Sequence, residues 1–171
     1  MYLSMIDNMK TNKNHAKVLF LCHAAIIAAL YVVLTLISAM LGLASNPIQI
    51  RFSEALCVLP FFSAAAVPGV TVGCLIANII TTGNILDVVF GTLATLIGAI
   101  GARLLRKWKW TVSLPTIASN TLILPFVLKY MFMLEDSVIF LAATIFAGEF
   151  ISAGIFGTVL LLALEKRFQK Q

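Results

Sequence analysis

VLFLCHAAIIAALYVVLTLISAMLGL, residues 18 to 43, runs 26 residues without an Asp, Glu, Lys or Arg. A helix crosses the hydrocarbon of a bilayer with about 20 apolar residues, so this stretch reads as a transmembrane helix. It is longer than the roughly 7 to 15 apolar residues of a secretory signal, so it is expected to be retained. Working outward, only Arg51, Glu54 and Asp87 carry charge between Lys17 and Arg103. Of 171 residues, 61% are hydrophobic and 11% charged, against about a quarter charged in a soluble domain. Mean hydropathy is +1.03. The chain reads as an all-α integral membrane protein with no second globular unit: a polar segment at 1–17, one membrane domain at 18–165 and a basic tail at 166–171. The pI near 9.3 does not argue for nucleic acid, because the basic residues cluster at the ends of apolar stretches, where they report topology.

The polar break Ser45-Asn46-Pro47 follows the first span, and Gln49, Arg51 and Glu54 lead into the next. Ala55 to Val67 is apolar and short, Pro68-Gly69 interrupts it, and Val70 to Ile80 resumes before Thr81-Thr82-Gly83-Asn84. Three further spans follow: Ile85 to Leu105, Thr111 to Met133 (broken by Pro115 and Pro125) and Val138 to Leu164. Charge selects six spans over five. Cytoplasmic loops collect Lys and Arg, and six spans put Lys10, Lys13 and Lys17, the Arg103 to Lys109 cluster, and Lys166, Arg167 and Lys170 on one side. Both termini are then cytoplasmic, and Trp108 and Trp110 lie at the inner interface. Arg51, Glu54, Asp87, Lys129, Glu135 and Asp136 fall toward the outer face. Glu149, about twelve residues into the last span, falls near the midplane at roughly 1.5 Å rise per residue.

An ionisable group at that depth costs roughly 2.5 to 3.5 kcal/mol even on lenient scales. Glu149 is therefore expected to face the bundle, as structural glue or as an acceptor for a polar ligand. Arg51 and Glu54, three apart, suit either a local ion pair with Ser53 capping the helix or ligand contact. Asp87 suits the first turn of a helix. Asn78 and Asn120 are amides in apolar spans and need partners. Glu135 and Asp136 read as solvated loop charges. Ala24, Ala25, Ala28 and Ala29 give overlapping AxxxA spacings, and Gly69 and Gly73 give GxxxG; both let helix backbones approach closely.

The chain carries no GxxxxGK[ST] phosphate loop, no HExxH and no GxSxG, so neither a catalytic residue nor an enzymatic reaction is indicated. Cys22, Cys57 and Cys74 form no CxxC pair and read as packing thiols. His15 and His23 are too far apart for one helix face, so no metal or cofactor is expected.

Gln49-Ile50-Arg51-Phe52-Ser53-Glu54-Ala55-Leu56 and Leu59-Pro60-Phe61 together resemble the opening signature of the queuosine precursor transporter family. The likeness continues through Pro68-Gly69, through Gly73 to Asn78 and through Asp87 to Leu96, then more loosely to Asn120 and Gly148-Glu149, covering roughly residues 20 to 165. Thr92 stands where that family commonly has Ser. The resemblance implies a six-helix substrate-binding S component of an energy-coupling factor transporter in the bacterial plasma membrane. Such a subunit has no ATPase of its own. It docks on a transmembrane scaffold subunit and two ATP-binding subunits, and it topples to deliver its ligand. The AxxxA face at Ala24, Ala25, Ala28 and Ala29 would meet the scaffold. The implied ligand is a 7-deazaguanine, foremost 7-aminomethyl-7-deazaguanine.

Such a ring offers neighbouring N–H donors that a carboxylate accepts together, and its aminomethyl group is a cation that wants an acid or a carbonyl cage. Glu149 and Glu54 are the expected acceptors, Asn78 and Asn120 the orienting amides, Asp87 a further acid, and Arg51 a further substrate-binding residue. Phe52, Phe61 and Phe90 are candidates to stack on the ring. The alternatives are an S component for another micronutrient, such as a vitamin or queuine, and an ion or proton channel lined by Glu149 and Asp87.

Overall fold

The computed structural model describes residues 2–43, 49–131 and 136–168, with side chains over 14–43, 49–130 and 136–167. Glu135, Ser45-Asn46-Pro47 and Lys170, together with the side chains of Lys10 and Lys13, lie outside the described residues.

Among the described residues, six main helical elements follow one another, with a three-residue 3-10 turn at Lys109–Thr111 between the fourth and fifth. They are α1 (Tyr2–Met40), the 3-10 helix α2 (Phe52–Phe61), α3 (Ala66–Thr81), α4 (Ile85–Leu104), α5 (Leu114–Met131) and α6. The last is continuous, α-helical over Val138–Glu149, π-helical over Phe150–Phe156 and α-helical again over Gly157–Phe168. Four stretches are long and apolar enough to cross a membrane: Asn14–Met40, Ile85–Leu104, Lys109–Tyr130 and Val138–Arg167. The other two helices, α2 and α3, are shorter and apolar.

The count of six agrees with the sequence, but the second and third elements are drawn differently. The second helix starts three residues before Ala55 and stops at Phe61, and the third starts at Ala66 instead of Val70. Pro68 therefore interrupts nothing. It occupies the first turn of α3, where a missing N–H costs no intrahelical bond. α1 also continues through the polar segment to Tyr2.

α2 is the hub, packed against α1, α3, α4 and α6. Ser53, Glu54, Ala55, Leu56, Cys57, Val58 and Pro60 are all buried, so its sequence shows no polar face. One apolar cluster joins Leu56 and Cys57 to Tyr31, Val70, Cys74, Ala77 and Ala99; a second joins Val58 to Ala102, Val112 and Leu161. Around this hub the helices pack in sequence order, α3 on α1 and α4, then α5 on α4 and α6. A methyl on Gly73 would come within 2.6 Å of Tyr31 Cβ and 2.9 Å of the Ala28 carbonyl; one on Gly69 would come within 2.9 Å of the Ala24 carbonyl. The GxxxG of α3 thus meets α1 along its Ala24–Ala28 line.

Lys109 and Glu165 pair at 3.2 Å, which brings the α4–α5 connection to the last turn of α6. The central basic cluster and the C-terminal one therefore share an end of the bundle. Trp108 and Trp110 are exposed at that end, as indoles at a membrane interface are.

Candidate functional site

The extended residues before α2 tie three helices together. Backbone N–H groups of Arg51 and Phe52 donate to Ser152 Oγ of α6 at 3.1 Å and to Ser38 Oγ of α1 at 2.9 Å. Gln49 lies so close to α6 that any side chain at position 148 would collide with its carbonyl oxygen, so Gly148 is required. The Arg51 guanidinium then reaches α3, where Nη1 donates to Asn78 Oδ1 at 3.4 Å.

Three buried carboxylates surround this crossing. Glu54 accepts from the Tyr31 hydroxyl and, at 3.3 Å, from the Cys57 thiol, so both of its oxygens are engaged. It does not form the local ion pair with Arg51 that the spacing allows. Ser53 does not cap the helix either, since Arg51 takes no side-chain cap and Ser53 Oγ accepts from Thr35 Oγ1 at 2.8 Å. Asp87 lies in the first turn of α4, one turn inside the Asn84 cap, where the helix dipole favours it. Of the charges around Arg51, that of Asp87 attracts it most. Asn78 Nδ2 donates to the Asp87 carbonyl at 3.4 Å and to Cys74 Sγ at 3.5 Å, in space kept free by Gly91. Glu149 Oε1 accepts from Asn120 Nδ2 at 2.8 Å.

Two acceptors are left over. Asp87 and Glu149 are only 5% and 7% exposed, yet Asp87 Oδ2 and Glu149 Oε2 have no hydrogen-bond partner among the described residues. A buried carboxylate oxygen without a donor carries a desolvation penalty of about 1 to 3 kcal/mol or more. Such atoms can accept from a bound molecule rich in N–H groups. Among the described residues, no group of three or more His, Cys, Asp or Glu side chains could hold a metal ion.

The profile of the QueT transporter family matches residues 21–166. The chain belongs to that family. It is also similar to the queuosine precursor transporter QueT of Lactococcus lactis subsp. cremoris (strain MG1363), 38% identical over 86 residues, which is 50% of this chain and 50% of that protein. The aligned part thus spans about half the length of this relative. No solved structure gives a significant match. QueT family membership and four helices long and apolar enough to cross a membrane, among the described residues, agree on a multi-pass membrane protein.

Within this QueT-family chain, Arg51 bonds Asn78, which reaches the Asp87 carbonyl; Glu54 is held by Tyr31 and Cys57, and Glu149 pairs with Asn120. The three phenylalanines do not share one place. Phe52 is half-buried against Phe156, with ring centroids 5.8 Å apart. Phe61 packs on Phe62 beside the second apolar cluster, and its carbonyl accepts from Arg103 at 3.4 Å. That is about 14 Å along a 3-10 helix from Glu54. Phe90 is exposed and lines an apolar groove of about 540 Å³ with Leu86, Phe126 and Tyr130. The alanines divide as well. Ala24 and Ala28 face the contact with Gly69 and Gly73, while Ala25 and Ala29 are exposed.

Sequence reasoning missed Tyr31, Cys57, Cys74, Thr35, Ser38 and Ser152 as members of the polar network. The two cysteines read as inert packing, yet each makes polar contacts. The signal for Tyr31 was available: a phenol in the middle of an apolar span needs a partner for its hydroxyl.

Proposed function

We propose that this chain is the substrate-capture subunit of an energy-coupling factor importer in the bacterial plasma membrane, binding a 7-deazaguanine queuosine precursor, foremost 7-aminomethyl-7-deazaguanine. One observation carries the reading: two buried carboxylate oxygens, Asp87 Oδ2 and Glu149 Oε2, have no donor among the described residues, and Arg51 is a charged neighbour of both acids. A deazaguanine supplies ring N–H, exocyclic amine and ammonium donors to such acceptors. A good bidentate contact of this kind is worth roughly 1 to 3 kcal/mol of discrimination. Membership of the QueT family, and the name of the lactococcal relative, point to the same ligand class.

In this reading both termini are cytoplasmic, the site opens outward, and the subunit has no ATPase of its own. It docks on a transmembrane scaffold with two ATP-binding subunits and delivers its ligand by toppling. Ala25 and Ala29, with the neighbouring lipid-facing side of α1, form the docking face.

Thermal stabilisation of the purified protein by a panel of deazaguanines, guanine, queuine, riboflavin, thiamine and biotin tests the ligand class. Protection by the deazaguanines alone is expected. Protection by a vitamin and not by a deazaguanine would assign the site to another micronutrient.

A further inference from the structure

The three buried acids differ in what already balances them. Glu54 accepts from two protein donors, Tyr31 and Cys57, and lies in the first turn of α2. Asp87 has the helix start of α4 and the Arg51 guanidinium as attractive neighbours. Glu149 has neither. It lies inside the continuous α6, where α-helix passes into π-helix, far from any helix start. Its partner is the neutral Asn120 amide, on one oxygen. Its charged neighbours are Glu54, which repels it, and Arg51, which attracts it. The Arg51 guanidinium donates to Asn78 and, among the described residues, forms no ion pair with Glu149. Lys129 lies in the last turn of α5, beyond Pro125. Three buried acids thus face one guanidinium, and the deficit falls on Glu149.

Resting on the binding reading above, we infer that Glu149 is the specificity-determining residue for charge. Its free Oε2 seats the ligand's ammonium group, while Asp87 Oδ2 accepts from the ring. A carboxylate buried without a counter-charge is far costlier than a neutral polar group, and an arriving cation removes that cost. A charge-assisted hydrogen bond is also roughly twice as strong as a neutral one. The site should therefore discriminate against ligands of the same ring whose 7-substituent is uncharged.

The test compares affinities for 7-aminomethyl-7-deazaguanine and its neutral nitrile counterpart, 7-cyano-7-deazaguanine, in the purified full chain. In the unaltered protein the amine is expected to bind at least about tenfold tighter than the nitrile. Glu149→Gln keeps an oxygen for Asn120 and removes the charge. It should abolish that preference by weakening the amine while leaving nitrile affinity within about threefold, and retained nitrile binding reports an intact fold. Glu149→Asp should keep a preference for the amine. Equal loss of both ligands in a folded Glu149→Gln protein would place Glu149 on the ring and overturn the inference. The second arm does not depend on that variant folding: Asp87→Asn and Glu54→Gln should each retain an amine preference, and its disappearance in either would also overturn it. If neither compound binds the unaltered protein, the deazaguanine reading fails first, and the two failures are distinguishable.

Discussion

At the scale of single residues, the decisive contrast is between carboxylate oxygens that are engaged and those that are not. Glu54 is held by Tyr31 and Cys57, so its first duty is to the protein. Tyr31→Phe removes one donor from a buried acid, and thermal unfolding in detergent should register a loss of about 1 to 3 kcal/mol. Phe fills the same space, so an unchanged unfolding midpoint would mean that Glu54 finds another donor. Asn120 orients Glu149 through one oxygen. Asn120→Ala should weaken ligand binding about tenfold or more by freeing the carboxylate to rotate, as read by titration. The acids and amides were legible in the sequence because polar side chains in apolar spans are conspicuous. Their partnerships were not, because a Ser, Thr or Cys satisfies a polar neighbour without disturbing hydropathy. The division among Phe52, Phe61 and Phe90 was equally hidden, since it depends on which way each helix turns.

At the scale of elements, two departures from the sequence reading share a cause. α2 is short and mostly buried, so neither length nor periodicity marks its limits. Pro68, a breaker by habit, instead begins α3. The small-residue spacings announced close helix packing but not the partner. In the fold, Gly69 and Gly73 lie on the Ala24–Ala28 side of α1, leaving Ala25 and Ala29 outside. Ala28→Leu should therefore destabilise the isolated protein by about 1 to 3 kcal/mol, the usual cost of overpacking. Ala25→Leu should leave its unfolding midpoint within error. If Ala25 and Ala29 meet the scaffold, Ala25→Leu reduces uptake and co-purification while ligand binding survives. Lost binding in that variant would instead place Ala25 in the internal packing. The π-helical turn of α6 follows Glu149 directly and presents Ser152 to the Arg51 N–H. A widened turn of this kind is a local departure that sequence pattern does not reveal.

At the scale of the whole molecule, six elements and the clustering of charge were readable from hydropathy and Lys/Arg placement, since both follow from the low polarity of the bilayer. The Lys109–Glu165 pair joins the central and C-terminal basic clusters at one end. On the proposed topology, a single Cys at Arg106 or Lys166 should react with a membrane-impermeant thiol reagent only in inside-out vesicles. One at Asp136 should react only in intact cells. Labelling of positions 106 and 166 from opposite sides would contradict the shared end. The account as a whole depends on acidic side chains sheltered by the bundle and left partly unpaired for a nitrogen-rich solute. Equilibrium titration of the purified protein with 7-aminomethyl-7-deazaguanine tests this most directly. Saturable binding of one molecule per chain, weakened at least about tenfold by Glu149→Gln, is the predicted result; no binding, or equal binding by the folded variant, would contradict it.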